Sequence, residues 1–198
     1  MGIMNLDSFF PTVIGNITNP DHASMEKELV DHCLQLSTEI ATGGTGWLSN
    51  KTYNTSNGQY DIFSDANFSK LNQWVRTSVE YYCNRLNIQS QNLTNNGSWF
   101  NIYRKHDFQE NHVHPTSVVS AIYVLCCDSR GARIFFNTPI NNMYHVKKTV
   151  VKQEMVDQIQ CQSIPGMLII FPSYLNHAVE RHESDQIRIS ISYNFKQS

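Results

Sequence analysis

His112, Val113 and His114, with His177 far downstream and Arg188-Ile189-Ser190 beyond it, are the residues of this chain best suited to chemistry. In a β-strand, side chains two apart share a face, so His112 and His114 can address one ion. A third imidazole from His177 would complete three ligands on one side of an octahedron and leave the opposite side open to small ligands. Eight histidines occur in the chain, and an isolated one is more often a surface or core residue than a ligand. The setting distinguishes these three. His112-Val113-His114-Pro115 precedes the strand-like run Val118 to Leu125, and His177 follows Met167 to Phe171 and the loop signal Pro172-Ser173-Tyr174-Leu175-Asn176. His22, His32, His106, His145 and His182 show no comparable pairing and read as structural or exposed.

Arg188 begins a run whose alternation sets Arg188, Ser190, Ser192 and Asn194 on one face and Ile189, Ile191, Tyr193 and Phe195 on the other. If the polar face turns inward, the guanidinium needs a partner. A ligand carboxylate would supply one through two parallel charge-assisted hydrogen bonds. If that face turns outward, Arg188 is simply solvated.

His112-x-His114, then His177, then Arg188-x-Ser190 about ten residues later resembles the 2-oxoglutarate and Fe(II)-dependent oxygenase superfamily, where a basic residue at that interval grips the far carboxylate of 2-oxoglutarate. Trp99 to Ile102, His112 to Val124 and Pro165 to His177 resemble, more narrowly, a functionally ill-defined group of bacterial and phage oxygenases, and Phe9-Phe10-Pro11-Thr12 and Gly46-Trp47 also fit it. The superfamily pattern has Asp or Glu where this chain has His114. Three neutral imidazoles leave Fe(II) its full charge, and bound 2-oxoglutarate would then neutralise the site. An alternative ligand set uses one of the paired histidines with an oxygen of Asp107 or Glu110.

The resemblance implies Fe(II), 2-oxoglutarate and O2 as cofactor and cosubstrates, with ascorbate as a reductant. The metal would sit on His112, His114 and His177, and the far carboxylate on Arg188 and Ser190. Asn101 and Tyr103, and Tyr123 on the following strand, are further candidates to touch the cosubstrate. Substrate hydroxylation with release of succinate and CO2 is the implied reaction. Two rivals stand beside it: a three-histidine cupin-type dioxygenase without 2-oxoglutarate, which has no need of Arg188, and a non-catalytic jelly-roll binding module.

At 198 residues the chain reads as one domain with a sizeable core. A net charge of −2 and a pI near 6.4 give no global basic field for nucleic acid. No apolar run approaches the roughly 18 residues of a membrane span. Five cysteines without a CxxC, and a start without the features of a secretory signal, read as reduced thiols in a cytoplasmic protein.

Two elements show helical spacing: Met25, Leu29, Cys33, Leu36 and Ile40 after Asn19-Pro20-Asp21, and Phe68, Leu71, Val75, Val79, Tyr82 and Leu86 after Ser64-Asp65. From Ser98 the period changes. The chain then reads as strands at Ser98 to Arg104, His112 to Leu125, Ala132 to Phe136, His145 to Lys152, Gln158 to Ser163, Met167 to Phe171, His177 to Arg181 and Gln186 to Phe195. The expected architecture is therefore a mainly β, cupin-like double-stranded β-helix, or jelly roll. Residues 98–198 form its core, and residues 1–97 provide helical support. The turn-rich Gly43 to Asp61 and Asn137 to Tyr144 are the segments expected to choose the substrate, which the motifs leave undefined, as they do the oligomeric state.

Overall fold

A computed structural model describes residues 12–44, 46–58, 60–139 and 156–198. The strand expected at His145 to Lys152, the Phe9-Phe10-Pro11 part of the N-terminal motif and the end of the Asn137 to Tyr144 segment lie outside those residues.

The two expected helices form as α1 (His22–Glu39) and α2 (Ser69–Arg85). Each buries the stripe that its spacing defines: Met25, Leu29 and Cys33 on α1, and Leu71, Val75, Val79 and Tyr82 on α2. Among the described residues the strands are β1 (Gly15–Thr18), β2 (Tyr53–Asn54), β3 (Leu93–Tyr103), β4 (Gln109–His112), β5 (Val119–Cys126), β6 (Ile134–Asn137), β7 (Gln158–Cys161), β8 (Met167–Pro172), β9 (His177–Val179) and β10 (Arg188–Gln197). They form a six-stranded sheet, β1-β8-β5-β10-β3-β2, and a four-stranded sheet, β4-β9-β6-β7, with every pairing antiparallel. This is the jelly roll buttressed by two helices that the sequence predicts.

Alternation along the central strands assigns each sheet face a task. On β10, Ile189, Ile191, Tyr193 and Phe195 join Phe100, Ile102, Val119, Ala121, Leu168 and Ile170 in a core shared with the helices. The opposite face looks toward the smaller sheet, where Tyr103, Ile122, Phe136, Ile169, Phe171 and Val179 pack together. The site opens beside this second core.

The expected strand from His112 to Leu125 is two strands. Pro115 has no N–H to give a ladder, and the Ser117 N–H closes a turn onto the His114 carbonyl at 3.1 Å. His114 therefore follows the end of β4, with its N–H donated to Ser173 O at 2.9 Å. β1 and β2 were not visible in the sequence, being four and two residues long. Gly166, ahead of β8, has φ +83°, and a Cβ there would fall 2.8 Å from the His22 ring. Glycine alone suits both the backbone and the space.

Candidate metal centre and cavity

β4 delivers His112 and β9 opens on His177, and the two are paired in register across the small sheet. The turn after β4 brings His114 to the same point, so that one ligand atom from each of the three rings lies within 4.8 Å of the others. The ring centroids are 5.1 Å apart for His112 and His114, 4.2 Å for His112 and His177, and 5.1 Å for His114 and His177. His112 Nδ1 donates to Glu110 O at 2.8 Å and His177 Nδ1 to Leu175 O at 2.9 Å, which leaves both Nε2 lone pairs for an ion. Phe171 packs edge-on against His177 at 4.7 Å.

Burial, reinforced by the neighbouring His112, lowers the pKa of His114 to about 4. Burial also lowers His112, and it lowers His177 well below its ordinary value. All three rings are neutral near neutral pH, the form a metal requires. Donor type, spacing and protonation state thus fit a divalent ion that accepts three nitrogens. Asp107 and Glu110, the alternative oxygen donors, are engaged elsewhere. Asp107 accepts the Arg104 N–H at 2.7 Å, and Glu110 accepts those of Leu48 and Ser49 at 2.6 and 3.1 Å. Burial opposes the charge on Glu110, but the Ser49 hydroxyl and these backbone donors outweigh it and hold the carboxyl below its ordinary range.

The histidines line a cavity of about 550 Å3, within the usual size for ligand sites. Its wall on the large sheet is the polar face of β10, with Ser190, Ser192 and Asn194, together with Asn101 and Tyr103 from β3. Asn101 is an inward amide, as expected, and donates to Ser192 Oγ at 3.3 Å. Ser120 donates to Asn194 Oδ1 at 2.7 Å and lies 2.8 Å from Ser173 Oγ, a hydroxyl ladder that the sequence did not single out.

Arg188 lies directly behind Ser190 and Tyr103 and is 0% exposed. Its Nε donates to Ser163 Oγ at 3.1 Å and its Nη1 to Ser190 Oγ at 3.3 Å, and its guanidinium carbon sits 4.7 Å from the centre of the Tyr103 ring. Its Nη2 is buried without a partner, and none of the described carboxylates pairs with it. The solvated alternative for this face is thereby set aside.

Tyr123 is the one proposed cosubstrate contact that the fold turns away. It belongs to the helix-side core, places its hydroxyl 2.9 Å from His22 Nδ1 and packs against Trp74. β5 is buried on both faces, so its composition carries no sign of which parity faces the cavity.

Two aromatic rings that entered the sequence analysis only as parts of the resembling segments stand in the site. Trp47 meets His112 edge-on at 5.4 Å, and Trp99 meets His114 at 5.6 Å. Trp99 shares the parity of Asn101 and Tyr103, which was a readable signal. Trp47 arrives from the 43–58 loop, whose placement depends on long-range contacts.

Strand order, paired sheets and a three-nitrogen cluster at one end define a jelly-roll protein with a candidate metal centre. The family model described as "Putative 2OG-Fe(II) oxygenase" matches residues 97–194, so this stretch of the chain is similar to the 2-oxoglutarate and Fe(II) oxygenase family. No curated protein matches the chain. Among solved structures, a Pseudomonas putida prolyl-4-hydroxylase is similar over 94% of each chain, with 14% identity and a TM-score of 0.61. The α-ketoglutarate-dependent epimerase SnoN of nogalamycin biosynthesis is similar over 94% of this chain and 77% of its own, with 10% identity and a TM-score of 0.68. HygX from Streptomyces hygroscopicus, solved with nickel, 2-oxoglutarate and hygromycin B, is similar over 94% of this chain and 84% of its own, at 9% identity and a TM-score of 0.62. At these identities the structural likeness speaks for the fold alone.

Proposed function

We propose that the protein is an Fe(II)- and 2-oxoglutarate-dependent dioxygenase that hydroxylates its substrate and releases succinate and CO2. The observation that carries this reading is Arg188, a fully buried cation with an unpaired Nη2 and no carboxylate partner among the described residues. An uncompensated buried charge is costly, and a dicarboxylate entering the cavity would relieve that cost.

His112, His114 and His177 would hold the iron, with Nε2 of His112 and His177 directed by the carbonyls of Glu110 and Leu175. Because neutral imidazoles contribute no charge, the two carboxylates of 2-oxoglutarate balance the ion. Ser190 on the cavity wall, with Arg188 behind it, would hold the far carboxylate. Asn101 borders the same space and has its amide oxygen free to accept. Ile122, Phe171 and Val179 keep this inner end apolar and exclude water. The bound iron and 2-oxo acid supply the oxidising chemistry. Structural relatives include a hydroxylase, an epimerase and a carbocyclase by their descriptions, and hydroxylation is the simplest of these outcomes.

The test is anaerobic titration of the protein with Fe(II) and 2-oxoglutarate, read by the visible charge-transfer band of the chelate. The wild type should develop the band, and Arg188→Ala should require much more 2-oxoglutarate to do so. Iron binding without any band would favour the three-histidine dioxygenase, to which His114 in the carboxylate position otherwise points.

A further inference from the structure

The cavity differs chemically between its two ends. In front of the paired histidines stand Trp47, 41% exposed, and Trp99, one against each ring. Beyond them the lining is made of amides and hydroxyls, including Asn54, Ser56, Asn95, Asn96 and Ser98. No lysine or arginine occurs among the described lining residues, and Asp61 is their one carboxylate.

Asp61 is not free to read a cation. It accepts from Ser98 Oγ, from Asn95 Nδ2 at 3.1 and 3.2 Å, from Ser64 Oγ at 3.2 Å and from the Phe63 N–H at 3.3 Å. An anion brought here would lose hydration and meet that carboxylate with no cation among the described lining residues to compensate. A cation would meet a carboxylate whose lone pairs are already taken.

Nor does this end offer a strand edge to a peptide. The Asn54 N–H donates to Thr42 Oγ1 at 3.2 Å, the Asn54 carbonyl accepts the Gly43 N–H at 2.8 Å, and the Phe108 carbonyl accepts Thr52 Oγ1 at 2.8 Å. The main-chain groups that β-augmentation would need are covered by the loop itself.

What remains is a wall of uncharged donors and acceptors that hold one another in place. Asn96 Nδ2 donates to Thr116 O and to Ser117 Oγ at 3.0 and 2.8 Å, and Asn54 Nδ2 donates to Thr52 O at 3.2 Å. Fixed amides beside flat aromatic rings suit a ligand with hydroxyls on its rim and an apolar C–H face. We propose that the substrate is an uncharged, polyhydroxylated compound of saccharide type, bound against Trp47 and Trp99 in front of the His112–His114 pair. The proposal rests on the oxygenase reading only for the identity of the reaction, since binding at this end needs neither iron nor 2-oxoglutarate.

Calorimetric titration of the protein with a panel of neutral methyl glycosides tests it, using hexosides, pentosides, deoxyhexosides and disaccharides. The same glycosides carrying a phosphate, a carboxylate or an amine, and a blocked prolyl peptide, serve as counter-probes. At least one neutral glycoside should bind, and its charged forms should bind about tenfold or more weakly. Trp47→Ala and Trp99→Ala should each weaken it about tenfold, whereas Trp47→Phe retains most of the affinity. Binding by none of the neutral glycosides, preference for a charged form or the peptide, or unchanged affinity in both tryptophan variants would each overturn the proposal. Glycoside binding by a protein that shows no chelate band keeps this inference and removes the 2-oxoglutarate reading. The chelate band without glycoside binding does the reverse.

Discussion

The carbonyl of Glu110 accepts the Nδ1 proton of His112 at 2.8 Å, while the Glu110 carboxylate takes the N–H groups of Leu48 and Ser49. A single residue thus orients an imidazole of the candidate metal site with its backbone and fastens the loop carrying Trp47 with its side chain. Glu110→Ala should free that loop and leave the sheet intact. Acrylamide quenching of Trp47 and proteolysis within residues 46–52 should both increase, whereas the backbone carbonyl that orients His112 is kept, so metal affinity should fall by less than the roughly 10-fold of losing an outer partner. An unchanged quenching constant would mean that the remaining tethers, among them Thr52 Oγ1 on the Phe108 carbonyl and the β2–β3 pairing, suffice to hold the loop.

Replacing His112, His114 or His177 by Ala removes a ligand outright, so binding of Co(II) or Zn(II) should weaken by more than the roughly 10–100-fold typical of outer partners. His114→Asp restores the carboxylate of the superfamily pattern and should retain the ion. Calorimetry on the purified variants checks both, and undiminished binding by His114→Ala would remove His114 from the ligand set.

Arg188→Met exchanges a buried cation for an apolar chain of similar length. Without 2-oxoglutarate, the variant should match or exceed wild-type stability, within about 1–2 kcal/mol. It should lose the upward shift of Tm that 2-oxoglutarate produces in the wild type, a shift worth about 2.7 kcal/mol at a hundredfold excess over Kd. Arg188→Lys keeps the charge without the two-point geometry and should fall between them. Marked destabilisation of the ligand-free Met variant would argue for a purely structural arginine.

Asp65 provides an acid-sensitive support, one hydrogen bond away from the cavity-lining Tyr60. Burial alone would raise its pKa, but hydrogen bonds from His32 at 2.7 Å, Tyr60 at 2.6 Å and Asn67 prevail and hold it at about 2. A depressed carboxyl contributes stability above its unfolded pKa and loses it as pH falls toward the folded one. The contribution, about 2 kcal/mol, should therefore disappear between about pH 4 and about pH 2. Asp65→Asn should be less stable near neutral pH and show a shallower loss across that window in urea melts. Parallel curves for the two proteins would rule the network out as the source.

Legibility in the sequence followed the physics of periodicity. The stripes of α1 and α2 bury one face each, so their spacing could be read, and the polar parity of β10 could be read because its two faces meet different surroundings. Tyr123 could not be placed in this way, because β5 is enclosed on both sides and its alternation carries no contrast. The His-Val-His spacing pointed to three rings that the fold does bring together, but through the wrong local geometry, since a proline turn, not a continuous strand, swings His114 beside His112. The Glu110 clamp spans about sixty residues of chain, and no local pattern announces a contact at that separation.

β10 divides its labour by parity, and this bears on how the protein can change. Odd-numbered positions from Ile189 to Phe195 are locked into packing with the helices, whereas Ser190, Ser192 and Asn194 contact only the cavity side. New specificities can therefore arise by exchanging alternate residues of one strand while the scaffold stays as it is. An inserted or deleted residue within that strand would swap the two sets and forfeit both at once.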